Sequence, residues 1–368
     1  MKLYYITYQD FPSNKANSQQ TITTCKYLSL NNVDTTLYFP LRKDENTDES
    51  VVIENFYEFE NIGFKLRGLP HKLKFEKLKF FKKGYFQLTQ IVWSIQSLNF
   101  IFHNQPKPDY IMTRADWVLF LLSRKNFPVV FECHQLTKTR KLILKYAIKK
   151  NNTKIIFMND RLLADSGLKN LKKTQVLIQS NGYDEDYFEQ GISKEKNTFI
   201  FAGNLTRSNK KRGVDLIIDY FNDQRLQGYS LKIIGDADEE YFHELKKRTQ
   251  NNVSVLGYLK KSKVIQEMQK SEFGLLINTS ESTHSLLHTD PLKFYEYSAA
   301  GLKIIAPDFP AHRNLDKYSN LYLYKNDNKE SFIKTIEDLS AATVSEQPDK
   351  NIQTYSNRVK NIINFLKV

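Results

Sequence analysis

A twenty-residue stretch from Thr289 to Asp308 constrains the fold of this chain more than any other part of the sequence. It reads TDPLKFYEYSAAGLKIIAPD, a short helix with both ends marked, followed at once by a buried strand. Asp290 suits the N-cap position because its carboxylate can accept from free backbone N–H groups, and Pro291 suits the first helical position. Gly301 suits the left-handed residue that ends a helix, and Leu302–Ala306 is a short apolar run rich in isoleucine. The pattern predicts a helix of about three turns that leads directly into a sheet.

The N-terminus of this predicted helix is suited to bind an anion. Its first N–H groups, from Leu292 and Lys293, have no partner within the helix, and the helix dipole favours negative charge there. Glu296 follows one turn later on nearly the same face, where its carboxylate can accept from a pair of sugar hydroxyls. An anion site beside a hydroxyl acceptor matches the diphosphate and ribose of a nucleotide-sugar. The alternative is that Glu296 is a surface residue paired with Lys293.

The whole segment is similar to a known one. DPLKFYEYSAAGLKIIAPDFP resembles the donor-site segment of retaining GT-B glycosyltransferases, in particular glycosyltransferase family 4, whose variant reads SPLKxxEYMAAGxxIIASD. The resemblance implies that Glu296 contacts the nucleotide, with Asp290, Leu292 and Lys293 beside it. The family motif has two glutamates separated by seven residues, and His288 stands where the first would be. His288, Thr289 or backbone N–H groups are therefore candidates for holding the hydroxyls of the donor sugar.

Length and composition fit two ordinary α/β domains. The chain has 368 residues, 40% of them apolar and 26% charged, which is typical of a globular protein. No apolar run approaches the ~18 residues of a membrane span, and Leu3–Tyr8 is too short for a signal peptide, so we expect a cytoplasmic protein. Cys25 and Cys133 fall in a predicted helix and a predicted buried strand, without metal-ligand spacing, and are expected to be free buried thiols.

The net charge of +13 is unevenly distributed along the chain. Residues 64–83 hold eight basic side chains against one acid, Glu76, and the basic residues are interleaved with phenylalanine and leucine. This composition favours an anionic membrane surface on the inner face of the cell membrane, where aromatic side chains can insert. Nucleic acid is a less favoured partner, because no nucleic-acid motif accompanies the charge. A solvated amphipathic helix is the structural alternative.

The first half of the chain alternates strand and helix patterns. Lys2–Thr7, Val33–Phe39 and Val51–Phe56 are predicted strands, and a polar loop over 9–20 follows the first of them. This loop, FPSNKANSQQ, resembles the FPSxxAxSxQ loop of polysaccharide-building members of the family, where it faces the cleft between domains. The resemblance implies that Asn17, Ser18 and Gln19 contact acceptor or donor phosphate.

A second polar group follows the predicted strand Pro128–Cys133. In a doubly wound sheet, ligands bind at the carboxyl ends of strands, where Glu132, His134 and Gln135 would lie. The sequence FECHQL resembles the YExHDL segment of the family, whose histidine lies beside the donor sugar in the cleft. The resemblance makes His134, with Glu296, a candidate for the catalytic group, whereas a histidine bonded within its own loop is the alternative.

The second half of the chain begins with a predicted strand, Thr198–Ala202, and a basic loop that leads through Gly213 into a helix. Such an arrangement can hold a diphosphate by charge and by close backbone approach. The family carries GRLxxxKG here, and this chain has Asn204 at the arginine position, so the candidates for the phosphate site are Asn204, Arg207, Lys211 and Arg212. VSVLGY resembles the segment whose backbone meets the nucleotide base, which implicates Gly257 and Tyr258.

The resemblance implies a GT-B fold, with two Rossmann-like parallel-sheet domains that face each other across a cleft. We expect an acceptor domain over 1–188, a nucleotide-sugar domain over 189–345, and a C-terminal helix, 346–368, that crosses back to the first. The implied function is retaining, metal-independent transfer of a sugar from a UDP- or GDP-sugar to a glycan or lipid-linked acceptor, without a further cofactor. Two alternatives stay open: a non-hydrolysing nucleotide-sugar epimerase, and a catalytically silent partner subunit of a glycosyltransferase.

Overall fold

Parallel strands alternate with helices along the chain in the computed structural model. The structure describes all residues except 42–48, 72, 74–81, 208–209, 281, 316–319 and 342–350. The chain divides into two compact units, the first formed by 1–180 together with 355–368 and the second by 181–354. These divisions lie after 180 and 354, whereas the sequence analysis places the domain boundaries after 188 and 345.

The first unit is built on a seven-stranded parallel sheet. Its strands are β1 (Lys2–Ile6), β2 (Asp34–Leu41), β3 (Lys65–Pro70), β4 (Tyr110–Thr113), β5 (Val129–Cys133), β6 (Thr153–Phe157) and β7 (Val176–Ile178). They lie in the order β3-β2-β1-β4-β5-β6-β7, so the strand order reverses between β1 and β4. In doubly wound sheets, ligands bind at such a switch point, outside the carboxyl ends of the strands.

Six helices connect these strands: α1 (Ala16–Leu30), α2 (Glu49–Tyr57), α3 (Lys82–Asn104), α4 (Asp116–Arg124), α5 (Lys138–Ala147) and α6 (Asp160–Ser166). Two predictions are wrong here. The predicted strand Val51–Phe56 lies in α2, where Ile53 and Tyr57 are the buried residues. They stand four positions apart, so the helical period of the apolar residues outweighs the β-branched composition. Residues 16–20, predicted as loop, form the first turns of α1, because a helix facing solvent can begin with polar residues.

The second unit is built on a six-stranded parallel sheet and a small ribbon. The sheet strands are β8 (Thr198–Ala202), β11 (Ser230–Ile234), β12 (Val253–Gly257), β13 (Phe273–Leu275), β14 (Lys303–Pro307) and β15 (Leu321–Tyr324); the ribbon strands are β9 (Thr206–Arg207) and β10 (Lys210–Lys211). The sheet order is β12-β11-β8-β13-β14-β15, so this sheet has its switch point between β8 and β13. The basic loop predicted after β8 is in part this antiparallel ribbon.

The helices of the second unit are α7 (Val214–Phe221), α8 (Glu239–Arg248), α9 (Lys261–Lys270), α10 (Leu292–Ala299), α11 (Pro310–Arg313) and α12 (Lys329–Ala341). Short 3₁₀ turns at Glu185–Tyr187 and Gln224–Leu226 and a π-helical turn at His284–His288 complete the described elements. Gly301 ends α10 with a φ of 69°, as predicted.

The last helix, α13 (Tyr355–Lys367), packs on α1 of the first unit. Arg358 of α13 is buried and donates to Glu132 Oε1 at 2.5 Å and to the carbonyl of Ser180 at 3.2 Å. The hydroxyl of Tyr5 donates to Glu132 Oε2 at 2.6 Å. Burial acts to raise the pKa of Glu132, but the charges of Arg358 and Arg114 lower it below its usual range. Glu132 therefore anchors α13 to the sheet and does not point to a ligand.

The basic segment over 64–83 is only partly within the described residues, which exclude 72 and 74–81. Its first part forms β3, in which the side chains of Lys65 and Arg67 are exposed. Phe64 and Leu69 are buried in the core. The prediction that the aromatic side chains of this segment insert into lipid is therefore wrong for Phe64, because the edge strand of the sheet uses it for packing.

Candidate functional site

The switch point of the second sheet is occupied by Arg212. Its guanidinium donates to the carbonyl of Asn204 at 3.2 Å, to the carbonyl of Ile277 at 2.8 Å, and to the side-chain oxygen of Asn278 at 3.4 Å. Asn204 follows β8, and Ile277 and Asn278 follow β13, so these contacts join the two strands between which the order reverses. Of the four cation or amide candidates around the basic loop, Arg212 is the one that these contacts hold at the switch point.

Behind Arg212, the buried ring of His312 orients Asn278. Nδ1 of His312 lies 2.7 Å from the carbonyl of Pro307 and therefore carries a proton. In the neutral ring, Nε2 then accepts from the side-chain amide of Asn278 at 3.2 Å, which leaves the amide oxygen toward Arg212. Burial lowers the pKa of His312. The sequence analysis missed His312; its signal is its place just after β14, at the same sheet edge.

The N-terminus of α10 is built differently from the prediction. Pro291 occupies the N-cap position with an extended backbone, and no side chain caps the helix. The prediction that Asp290 is the N-cap is wrong. Its carboxylate instead accepts from the backbone N–H of Asn181 and from the hydroxyl of Tyr295, both at 2.6 Å. Asp290 thus fixes α10 to the start of the second unit by tertiary bonds, and the first N–H groups of α10 are left without a side-chain cap.

Glu296 lies on α10 between two lysines. Its side chain is buried, Oε1 accepts from the ammonium group of Lys261, and Oε2 accepts from that of Lys293 at 2.5 Å. Burial acts to raise the pKa of Glu296, but the two ammonium charges lower it to about 2. Burial lowers the pKa of Lys293 to about 8 although Glu296 acts to raise it. The alternative interpretation, that Glu296 is a surface residue paired with Lys293, is therefore right about the pair but wrong about the surface, because Glu296 is buried.

Lys261 is a residue that the sequence analysis missed. It is the first residue of α9, shortly after β12, and so lies at the same edge of the sheet. The signal available in the sequence is this position after a strand. With Lys293 and Glu296 it forms a cluster of two cations and one anion, which we call the Lys–Glu–Lys cluster.

Tyr297 connects α10 to β8. Its hydroxyl accepts from the backbone N–H of Ala202, the last residue of β8, at 3.0 Å. Its ring packs on Gly274 of β13, where an added Cβ would lie 2.7 Å from the ring atoms. Burial, together with the charge of Glu296, raises the pKa of the Tyr297 hydroxyl. Gly274 therefore lets α10 approach the sheet closely enough to place Glu296 near the switch point.

The remaining candidates of the second unit are dispersed. Lys211 is exposed and binds Glu244 of α8, with 2.7 Å from its ammonium group to each carboxylate oxygen. Arg207 lies in β9, but its side chain is outside the described residues. Gly257 ends β12 with a φ of 75°, and the next residue, Tyr258, is 48% exposed. His288 is buried in the π-helical turn that precedes α10.

The first-unit candidates lie at its own sheet edge. Asn17, Ser18 and Gln19 are in the first turns of α1; Ser18 is buried and donates to the carbonyl of Asp10 at 3.3 Å. Arg114, which follows β4 and was missed by the sequence analysis, donates to the carbonyl of Asn17 at 3.2 Å. These residues therefore meet at the switch point between β1 and β4.

His134 follows β5 and is half-buried. Its loop is held in place because Arg140 donates to the carbonyl of Gln135 at 2.9 Å. Arg140 in turn pairs with Asp116 at 2.6 Å. His134 is thus presented at a strand end, as predicted, on a loop that α5 fixes.

Comparison with known proteins agrees with this architecture. The model of a family described as glycosyl transferases group 1 matches residues 196–342. Sucrose-phosphate synthase from Thermosynechococcus elongatus superposes with a TM-score of 0.71 at 12% identity, covering 100% of this chain and 96% of that chain. HepE from Anabaena, in complex with UDP, gives 0.65 at 12%, covering 100% and 98%. The catalytic domain of starch synthase IV from Arabidopsis thaliana, bound to ADP and acarbose, gives 0.68 at 11%, covering 99% and 98%.

The chain therefore has the predicted GT-B fold of two Rossmann-like parallel-sheet domains. The fold and the group 1 match together support a glycosyltransferase of the GT-B type. The sequence matches none of the curated proteins with which it was compared. None of the helices in the described part of the chain is long and apolar enough to cross a membrane. Within the same ranges, no three His, Cys, Asp or Glu side chains are grouped as metal ligands.

Proposed function

We propose that this protein is a retaining glycosyltransferase that moves a sugar from a nucleoside-diphosphate sugar to a glycan or lipid-linked acceptor. The observation that carries the proposal is the position of Glu296. It is a buried, ionised carboxylate on the first turns of α10, close to the switch point of the domain that matches the glycosyl transferases group 1 model. HepE is similar over the whole chain and was solved with UDP, which favours a nucleotide donor here as well.

The barrier to this reaction lies in breaking the anomeric C–O bond to a charged leaving group. A catalyst must therefore stabilise the negative charge that grows on the phosphate. In this proposal, the N–H groups of Leu292 and Lys293 and the guanidinium of Arg212 supply that stabilisation. Arg212 suits the role because it keeps its charge at all physiological pH values. Fixed protein cations then take the place that a metal ion occupies in other transferases.

Glu296 would bind the ribose of the donor. A carboxylate offers about four lone-pair directions, so two ammonium groups do not exhaust its capacity to accept. Its low pKa keeps it ionised at neutral pH, which favours bonds from a pair of hydroxyls. We further propose that Gly257 and Tyr258 meet the base, that His288 and Asp290 lie near the donor sugar, and that Asn204, Arg207 and Lys211 support the phosphate site.

The first unit would supply the acceptor side. His134 lies at a strand end on a loop fixed by Arg140, which suits a group placed beside the transferred sugar. Asn17, Ser18 and Gln19 stand at the switch point of the first sheet, where ligands bind in this class of fold. The acceptor proton would pass to the leaving phosphate, with attack on the face that the leaving group vacates. We place the enzyme on the inner face of the cell membrane, with 64–83 contributing through Lys65 and Arg67.

Release of nucleoside diphosphate tests the proposal. Purified protein is incubated with UDP-, GDP- and ADP-sugars and candidate acceptors, and release is compared for wild type, Glu296→Gln, Arg212→Gln and the control Glu337→Gln on the exposed face of α12. We expect release with at least one donor, a loss of about tenfold or more in both site variants, and no change in the control. Unchanged release in both site variants would refute the site. Conversion of a sugar nucleotide without any release would indicate an epimerase, and no binding of any nucleotide would indicate a silent subunit.

A further inference from the structure

Residues 133–180 of the first unit form a strongly basic part of the chain. Residues 133–180 include eleven lysines and arginines and two acids, Asp160 and Asp165, for a net charge of +9 out of the total of +13. Asp165 lies 2.8 Å from Arg161, so this acid offsets an arginine of its own helix. The excess charge of the region is therefore carried by its lysines.

Helix α5 concentrates these lysines on one face. Lys138, Leu142, Lys145 and Lys149 are exposed, and their spacing of four, three and four residues forms a straight stripe along the helix and its C-terminal turn. Leu142 is 70% exposed, in the middle of the stripe. The opposite face of α5 is buried through Arg140, Ile143, Leu144 and Ala147. Asp116 of α4 pairs with Arg140 on this buried face, at 2.6 Å.

An aromatic group borders this stripe. The ring of Tyr146, which is half-buried, lies 5.4 Å from that of Phe120 on α4. The ammonium group of Lys150 lies 5.6 Å from the centre of the Tyr146 ring. A tyrosine beside lysines, with an exposed leucine between them, is a composition suited to the headgroup region of a bilayer.

We propose that the exposed face of α5, comprising Lys138, Leu142, Lys145 and Lys149, docks the protein on an anionic lipid bilayer. The stripe complements a negatively charged surface, and Leu142 can enter the boundary between headgroups and acyl chains. A nucleic acid would be attracted by the same lysines but gains nothing from an exposed leucine at their centre, so the bilayer is the better fit. This inference rests on the proposed function in one respect, that a lipid-linked acceptor brings the enzyme to a membrane.

The proposal also moves the main docking surface away from 64–83. Within the described part of that segment, Phe64 and Leu69 are packed in the core and are not available to a bilayer. On α5, by contrast, the apolar residue that would enter the bilayer, Leu142, is exposed, and the residues that pack against the protein lie on the opposite face of the helix. Docking through α5 and docking through 64–83 predict different effects of substitutions in α5 on vesicle binding.

Binding of the full-length protein to lipid vesicles distinguishes them. Vesicles of phosphatidylcholine with and without phosphatidylglycerol are sedimented with wild type, with the triple variant Lys138→Gln, Lys145→Gln and Lys149→Gln, and with Leu142→Gln. A charge-matched control carries Lys246→Gln, Lys247→Gln and Lys263→Gln, three exposed lysines of the second unit. Each basic group near an anionic surface contributes a factor of about five to binding. We expect a loss of about a hundredfold in the triple variant, a severalfold loss in Leu142→Gln, and little change in the control.

Several outcomes would overturn the inference. Equal losses in the triple variant and its control would show that net charge alone drives binding. Unchanged binding in the triple variant would leave membrane association to another surface, such as 64–83, while nucleotide release in the same preparations reports on the proposed function separately. Binding to a DNA duplex that is as tight as binding to anionic vesicles, and unaffected by Leu142→Gln, would identify a nucleic-acid surface. Melting temperatures of all variants exclude unfolding as the cause of any loss.

Discussion

The carboxylate of Glu296 accepts from the ammonium group of Lys261, although the two residues come from different helices and lie 35 positions apart in the chain. The contact ties the beginning of α9 to the first turns of α10. Because Lys293 binds the other carboxylate oxygen, the Lys–Glu–Lys cluster has one positive charge in excess at the end of a helix that already attracts anions. This relationship is the physical basis for two predictions.

The first prediction concerns acid stability. The pKa of Glu296 is about 2 in the folded protein and near 4.3 in an unfolded chain, so its ionised form stabilises the fold at neutral pH. That contribution, on the order of 3 kcal/mol, is complete above about pH 4.5 and is lost as the pH falls toward 2. Chemical denaturation from pH 7 to 3 should show a shallower decline for Glu296→Gln than for wild type. Equal slopes would show that the cluster does not hold the carboxylate in its ionised form.

The second prediction concerns alkaline pH. Lys293 has a pKa of about 8, because burial and the neighbouring Lys261 outweigh the attraction of Glu296. We expect the affinity for UDP, or for the best nucleotide found, to fall as the pH rises through 8 and the excess charge disappears. Lys293→Arg keeps its charge throughout this range and should retain its affinity at pH 9.5. Isothermal titration of both proteins at pH 7 and 9.5 measures the difference, and parallel losses would contradict the assignment.

The third prediction concerns the contact of Tyr297 with the sheet. Gly274→Ala places a methyl group 2.7 Å from the Tyr297 ring, so the ring or the backbone must shift to accommodate it. Overpacking of this kind costs about 1–3 kcal/mol. Gly228→Ala is the matched control, because an added Cβ there meets nothing within 4 Å. In urea denaturation, the free energy of unfolding of Gly274→Ala should be lower than that of Gly228→Ala by about 1 kcal/mol or more. Equal stability would mean that α10 does not approach β13 as closely as the structure shows.

The fourth prediction concerns the hydrogen bond between Tyr295 and Asp290, which helps to fix α10 to the start of the second unit. Tyr295→Phe removes the hydroxyl that donates to Oδ1 of Asp290 and should cost about 1–3 kcal/mol, because a partly buried carboxylate loses a hydrogen-bond donor. In Asp290→Ala the loss of that hydroxyl should matter less. A double-mutant cycle with both changes should therefore give a coupling free energy of about 0.5–3 kcal/mol. Simple additivity within about 0.5 kcal/mol would show that the hydroxyl and the carboxylate act independently.

Much of the order of elements could be predicted because it depends on local pattern. The bounds of Tyr110–Thr113 and Thr198–Ala202 are as predicted, since short apolar runs between turn residues define buried parallel strands. The predicted left-handed conformation of Gly301 is also confirmed, because glycine adopts it at little cost. Cys25 and Cys133 are free and buried, as predicted.

The site could be predicted only in part, because its chemistry depends on partners distant in the sequence. Aspartate is a preferred N-cap residue, but the carboxylate of Asp290 accepts from a backbone N–H that lies 109 residues away in the sequence. Lys261 has no motif of its own and enters the cluster because α9 and α10 pack together. Phe64 is an aromatic residue in a basic segment, as a membrane anchor would be, yet the sheet edge buries it. Composition cannot distinguish these outcomes, since each is decided by which surface the fold covers.

The fifth prediction concerns His312, which holds Asn278 toward Arg212 while its ring is neutral. Burial lowers the pKa of His312, although the nearby carboxylate of Asp308 acts to raise it, so the unfolded chain takes up a proton before the folded one does. The stability of the fold should therefore be highest above about pH 6.5 and decrease as the pH falls below that value. A protonated Nε2 would face the amide N–H groups of Asn278, turn that amide, and remove an acceptor from Arg212.

We expect nucleotide affinity to fall together with stability between pH 7 and 5, and His312→Gln to lose this pH dependence. His243→Gln, an exposed histidine on α8, is the control and should keep it. If affinity stays constant over this range while stability falls, His312 supports the core but does not position Arg212.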